Sequence, residues 1–221
     1  MYKIFFKRVI DIILSLIALL ILIPVLLPVT IILLFTGENY VFYFQERIGY
    51  RNSKFRIIKF ATMLKDSPNI GTKLHTTTTD PRILPLGKFL RSSKINELPQ
   101  LFNILIGDMS IVGPRPLVDK TFDPYPENIK DSIYNTKPGL SGIGSIIFRN
   151  EEELMTNTKM NLDDYYREKI APYKGELELW YQKNISFITD LKIILITIWI
   201  IFFPKSNIIS FFFKNLPENK K

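Results

Sequence analysis

The segment "DIILSLIALLILIPVLLPVTIILLF" limits what this chain can fold into more than any other. From Ile12 to Phe35 it runs 24 residues without a charge. As a straight helix at about 1.5 Å per residue it would reach about 36 Å, enough to cross a bilayer. A cleaved leader does not fit, because the apolar core is too long and no small-x-small site follows it. One membrane helix is the plain reading.

Two details argue against a simple span. Pro24 lies near the middle of the run and Pro28 follows one turn later. Each proline removes an internal hydrogen bond and crowds the preceding turn, so a sharp bend is expected, with Ser15 and Thr30 offering hydroxyls to the freed carbonyls. Lys3, Lys7 and Arg8 precede the run, and Arg47, Arg51, Lys54, Arg56 and Lys59 follow it. Cationic flanks stay on the cytoplasmic side, so both ends ask for the cytoplasm. A kinked helix that enters one leaflet and returns meets that demand, and a straight span does not.

Downstream, "YVFYFQERIGYRNSKFRIIKFATML" reads as two short strands joined by a polar turn at "RIGYRNSK". "DSPNIGTKLHTTTTDPR" is loop by composition, "ILPLGKFLRSS" a short helix and "NELPQLFNIL" a second. "IGDMSIVGPRPLVDKTFDPYPEN" is extended and irregular, and "KPGLSGIGS" marks another turn with a strand near it. From residue 161 the pattern is helical and aromatic. Its apolar part "IILITIWIIFF" is 11 residues, too short for a span. With Trp180, Trp199 and nearby lysines it fits helices lying in the membrane interface, and a buried core helix fits the same pattern.

The chain has no cysteine, which excludes disulfides and thiolate metal sites, and its one histidine, His75, cannot build a multi-histidine metal site. The formal charge of +8 and pI near 9.5 suit nucleic acid, an anionic membrane or phosphorylated substrates. No nucleic-acid module is present, and the membrane segment accounts for the basic flanks.

The chemistry-bearing residues gather around "KFLRSSKINELPQ", "GDMS" and "GPRP". Arg91, Lys94 and Arg115 lie there, Lys59, Arg82 and Arg149 are reachable from other segments, and the acids are Glu97 and Asp108. Arginines around a carboxylate able to hold Mg²⁺ form the inventory of phosphoryl transfer, in which positioning and charge neutralisation do most of the work. The same "NELPQ" also reads as an ordinary helix start, with Asn96 capping, Glu97 in the first turn and Pro99 tolerated there.

Together "FKRVID", "FYFQERIGYRNSKFRIIKFATM", "DPRILPLGKFLRSSKINELPQLFNILIGDMSIVGPRP" and "KPGLSGIGS" resemble the bacterial sugar transferase family, and "YYREKI" and "WYQKNISFITDLKIILIT" fit as well. Its members are monotopic polyprenyl-phosphate phosphoglycosyl transferases that start glycoconjugate assembly. The resemblance implies a helix-rich α/β monotopic membrane protein with a small β-hairpin region and interfacial amphipathic helices. Residues 1–36 would form a re-entrant membrane helix bent at Pro24, and residues 37–221 one continuous catalytic unit on the cytoplasmic face of the bacterial inner membrane. It implies transfer of a sugar phosphate from a UDP-sugar to polyprenyl (undecaprenyl) phosphate with release of UMP and help from Mg²⁺. Downstream glycosyltransferases would be possible partners, and nucleic acid would not.

In the family an adjacent Asp-Glu pair is central: the aspartate attacks the sugar-linked phosphorus and the glutamate helps hold the metal. Glu97 matches the glutamate, and Lys59, Arg91, Arg115 and Arg149 match basic positions expected around the phosphates. At the nucleophile position this sequence has Asn96, and an amide cannot do a carboxylate's work on phosphorus. "KFATM" has Ala61 where a basic residue is usual, and "GIGSIIFRN" lacks a tryptophan turn seen in many relatives. Three explanations stand. Glu97 or Asp108 attacks, or the acceptor phosphate attacks directly; the chain is a silenced form; or it has moved to a binding or scaffolding role.

Overall fold

A computed structural model describes residues 2–70, 80–204 and 206–219. His75 and most of the threonine-rich loop lie outside the described residues. After a π-helical turn, Tyr2–Phe6, the apolar run forms one helix, α1 (Lys7–Phe35), and helical backbone continues through Pro24 and Pro28. The two prolines leave the carbonyls of Leu20 and Pro24 without their i+4 donors. The expected hydroxyl partners do other things: Thr30 donates to the Leu26 carbonyl at 2.8 Å, and Ser15 Oγ is buried without a partner.

The strands β1 (Phe42–Ile48) and β2 (Lys54–Phe60) form the expected antiparallel hairpin, registered from Phe42 opposite Phe60 to Ile48 opposite Lys54. Its polar turn reverses through Arg51 and Asn52, both at positive φ. Next come α2 (Pro85–Ser92), with proline opening its first turn, and α3 (Gln100–Ile106), closed by Gly107 at φ 102°. Gly87 lets α2 lie directly on the chain leaving β2, since a Cβ there would run into the Thr62 carbonyl.

The extended segment then contributes β3 (Ser110–Val112) and is followed by α4 (Asp119–Phe122) and α5 (Glu127–Ile133). β4 (Gly139–Ser141) pairs with β3 in parallel. Three short helices follow, α6 (Ile143–Ile147), α7 (Glu151–Asn157) and α8 (Leu162–Tyr165). The chain ends with α9 (Ala171–Lys183), α10 (Phe187–Phe202) and α11 (Ile208–Phe212).

Both halves of α1 pack on this body. Ala18, Leu19 and Leu22 meet Ile57, Leu101, Ile104 and Met109, while Leu26, Val29 and Leu33 meet Phe60 and Leu90. The opposite face, including Leu20, Ile21, Leu27 and Ile31, is exposed and apolar. α10 divides the same way: Asp190, Ile193 and Ile196 point inward, and Phe187, Leu191, Leu195, Trp199 and Phe202 point out. α10 is therefore neither a wholly buried core helix nor a free one.

The start of α1 is fixed by polar contacts. Arg8 donates to the carbonyls of Ile104 (2.5 Å) and Leu105 (2.8 Å) at the end of α3, and Asp11 accepts from Ile111 N–H at 3.0 Å. Asp190 is the hub beside them, taking Lys7 Nζ at 2.6 Å, Tyr2 Oη at 2.7 Å and Tyr181 Oη at 2.7 Å. Removing this buried carboxylate strands the Lys7 charge. Asp190→Ala is expected to cost about 3–5 kcal/mol. Thermal unfolding in detergent reads the difference against Asp119→Ala, whose exposed pair with Lys54 contributes about 1 kcal/mol or less.

Candidate active site

Glu97 ends a short 3₁₀ turn, Ile95–Glu97, which the chain enters through Lys94 in the left-handed region at φ 60°. Asn96 is not a helix cap. Lys94 precedes the short turn, Pro99 precedes α3, and neither makes a side-chain cap. Pro99 has no N–H to donate back, so the single helix expected from "NELPQLFNIL" divides into a 3₁₀ turn and α3. Asn96 is buried within the turn and its Oδ1 has no partner; one turn on, Gln100 Nε2 is likewise buried and unpaired.

The Glu97 carboxylate is held from two sides. Arg115 brings Nη2 to 2.9 Å of Oε1 and Nη1 to 3.5 Å of Oε2, a two-pronged approach. Lys59, from β2, brings Nζ to 3.3 Å of Oε1. Burial works against the Glu97 charge, but Arg115 and Lys59 outweigh it and hold the carboxyl well below the usual carboxylate range. Glu97 in turn raises Arg115 against the effect of burial. Burial lowers Lys59 to about 7, with Glu97 opposing and Arg115 and Arg47 reinforcing.

Arg47 is a member of this group that sequence reasoning counted only as a membrane flank. Its guanidinium donates to the Pro116 carbonyl at 3.1 Å and to Gln45 Oε1 at 2.5 Å. Burial and the neighbouring Arg115 charge lower it to about 10. The signal was in the hairpin. Tyr43 stands opposite Lys59, and Gln45 and Arg47 follow at period two, so Arg47 shares the face of Lys59.

Other candidates lie elsewhere. Asp108 follows Gly107 at the far end of α3, and its carboxylate takes Asn103 Nδ2 at 3.4 Å. Asn103 itself pins α3 to β2, accepting from Ile58 N–H at 2.9 Å and donating to the Arg56 carbonyl at 2.8 Å. Arg91 pairs with Glu152 of α7, and Lys174 of α9 pairs with Glu151 at 2.5 Å, so two acids of α7 face cations near Arg115. Arg149 reaches the Ser206 carbonyl at 3.5 Å. Arg82 is buried on Asp80 at 2.6 Å and donates to the Ser67 carbonyl. Among the described residues, no three His, Asp or Glu side chains gather in a metal-binding group.

This cluster places three cations, Lys59, Arg115 and Arg47, around one carboxylate, Glu97, and the neutral Asn96 precedes that carboxylate in the chain. The family model described as bacterial sugar transferase matches residues 2–204. The exopolysaccharide production protein ExoY of Sinorhizobium fredii is 32% identical over 87% of this chain and 83% of its own length. A UDP-N-acetylgalactosamine-undecaprenyl-phosphate N-acetylgalactosaminephosphotransferase of Aeromonas hydrophila is 32% identical, over 88% of this chain and 43% of its own. An undecaprenyl-phosphate glucose phosphotransferase of Komagataeibacter xylinus is 34% identical, over 87% and 35%. The chain spans less than half of these last two.

With Lys59 titrating at about 7, its charge is present below that pH and lost above it. Affinity for inorganic pyrophosphate should therefore fall as pH rises through neutrality. Lys59→Arg, which keeps its charge throughout, should flatten that fall. Calorimetry across neutral pH on the detergent-solubilised protein checks both.

Proposed function

The chain belongs to the bacterial sugar transferase family, and on that premise we propose that it moves a sugar phosphate from a UDP-sugar to a polyprenyl phosphate, releasing UMP. The observation that carries this reading is Glu97, half-buried between Arg115 and Lys59 with Arg47 behind them. The relatives named for undecaprenyl-phosphate sugar phosphotransfer support it, and those named for exopolysaccharide production support a role in polysaccharide production. The product, a sugar on a polyprenyl diphosphate, is a substrate for glycosyltransferases that extend it.

Lys59 and Arg115 neutralise the diphosphate, and the buried setting strengthens each contact. Glu97 is a poor nucleophile here, because both oxygens face Arg115 and Oε1 also meets Lys59. Asp108 sits on Asn103 at the other end of α3. Direct attack by the acceptor is the route that remains. An oxygen of the lipid phosphate bonds to the sugar-linked phosphorus, the bond to the bridging oxygen breaks, and UMP leaves with that electron pair. Asn96, neutral beside Glu97, adds no negative charge against the incoming phosphate and carries amide N–H groups able to donate to it.

Mg²⁺ fits this site when most of its ligands come from the donor diphosphate and water. Glu97 would be its carboxylate ligand through Oε2, which Arg115 approaches only at 3.5 Å, and the buried, unpartnered Asn96 Oδ1 is a second oxygen acceptor in the same turn. Bound there, the ion would neutralise charge on the diphosphate.

For α1 the same reading implies re-entry into one leaflet. Its first half and its second half both pack on one body, so a helix crossing the bilayer would have to draw that body in with it. The exposed apolar faces of α1 and α10 would then meet lipid on the cytoplasmic face of the inner membrane. A silent binding or scaffolding protein is the second reading, and Asn96 is the observation that favours it.

UMP release from a panel of UDP-sugars, with and without undecaprenyl phosphate, separates the two. The enzyme reading expects release that requires the lipid and selects a donor, with no burst in its absence. Asn96→Asp, which adds a carboxylate, should give a stoichiometric lipid-independent burst. Absence of release from every donor, in wild type and in Asn96→Asp alike, would leave the silent reading. Because the chain lacks cysteine, Lys3→Cys and Glu38→Cys are clean topology probes. Both should react with an impermeant thiol reagent from the cytoplasmic side only; labelling from opposite sides would mean that α1 spans.

A further inference from the structure

Pro114 and Pro116 flank Arg115, so the Arg115 N–H is the only main-chain donor in that tripeptide. The loop's other contacts are accounted for. Pro114 carbonyl takes Gly139 N–H at 2.8 Å, Arg115 carbonyl takes Tyr134 Oη at 2.8 Å, and Pro116 carbonyl takes Arg47. The one remaining group, the Arg115 N–H, faces the carboxyl of Glu178 on α9.

Glu178 is 1% exposed. Its carboxyl faces two main-chain N–H groups, Arg115 and Gly144, although neither oxygen reaches full hydrogen-bond geometry with any partner. Gly144 makes room for it, whereas Gly142 makes room for the Gly113 carbonyl. A Cβ on Gly144 would run into Oε1, and one on Gly142 would lie 3.9 Å from Oε2 while colliding with the Gly113 carbonyl. "GIGS" is thus small where the carboxyl must approach. Burial lifts the Glu178 carboxyl to about 8, against the opposing pull of Lys174 and of those two N–H groups.

A buried carboxyl is costly unless it is paired or hydrogen-bonded, and the nearest donors to Glu178 are the two main-chain N–H groups. Here it touches neither Glu97 nor the phosphate-facing cations directly. We propose that Glu178 is a positioning residue, which holds the Arg115 main chain at the height from which its guanidinium spans both oxygens of Glu97 and meets the donor diphosphate. It couples α9 to the cation most engaged with Glu97. This inference rests on the phosphate-binding reading of the site.

The test is a double-mutant cycle on the full chain in detergent, with UDP as the probe. Glu178→Leu should weaken UDP binding about tenfold when Arg115 is present, and have no further effect in an Arg115→Ala background. Equal losses in both backgrounds, or none in either, would overturn the proposal. The second readout needs no ligand: hydrogen exchange at the Arg115 amide, followed by NMR, should accelerate in Glu178→Leu. If that variant does not fold, Glu178→Gln is compared with wild type above pH 8, where the carboxyl is ionised and both oxygens accept; the amide must then turn its NH₂ toward one of the two N–H groups and so accelerate exchange at Arg115 or Gly144. Unchanged exchange at both would overturn the proposal. A wild-type chain that fails to bind UDP would count against the donor reading, and the exchange result would still decide the role of Glu178.

Discussion

Glu97, with Arg115 and Lys59 upon it, joins parts of the chain that are far apart in sequence. Lys59 comes from the hairpin, Glu97 from the turn before α3, and Arg115 from the loop after β3. Arg47 adds the other hairpin strand through the Pro116 carbonyl. A buried charge without partners is among the costliest things a fold can contain. Each of these elements is therefore constrained by the others, and loss of one cation would leave Glu97 or its remaining partner poorly compensated. On the proposed reading the same constraint serves the function, because a concentration of positive charge around one carboxylate suits a diphosphate donor.

Beneath that site lies the membrane problem. α1 buries one stripe on α3, the hairpin and α2, and leaves the other stripe apolar and exposed. Arg8 and Asp11, the last charges before the apolar run, are both used on the body: Arg8 on the end of α3 and Asp11 on β3. The helix with the apolar exposed face is thus bonded to the segment that carries Glu97 at its other end. In the proposed reaction a soluble nucleotide sugar and a lipid phosphate have to meet, and this coupling would tie the Glu97 site to the helix that meets lipid.

Much of this was legible in the sequence. The apolar run, the hairpin at "RIGYRNSK" and α2 follow from composition and period, while Lys59 and Arg115 were singled out as positions that the resemblance to the family implies. The misreadings have physical causes. Asn96 looked like a cap because residue type alone cannot show that Pro99 breaks the helix. For Asp108, eleven positions after Glu97, the sequence does not say which end of α3 it occupies, and the fold puts it at the end away from Glu97. The parallel pair β3–β4 has three residues per strand and joins segments on either side of α4 and α5, too short and too distant for a periodic signal. Glu178 was missed because a glutamate within a charged, aromatic helix reads as solvated until its burial is known.

The central claim is that the sugar phosphate passes directly to the acceptor, since Asn96 removes the carboxylate that would otherwise carry it. The steric course at phosphorus tests that most directly. A UDP-sugar made stereochemically pure by sulfur at the transferred phosphorus would be turned over with undecaprenyl phosphate, and the configuration of the product determined. One in-line displacement inverts that centre, and inversion is the predicted result. Retention would mean two displacements through a covalent enzyme intermediate, and would contradict the direct transfer inferred from Asn96 and the fully engaged Glu97.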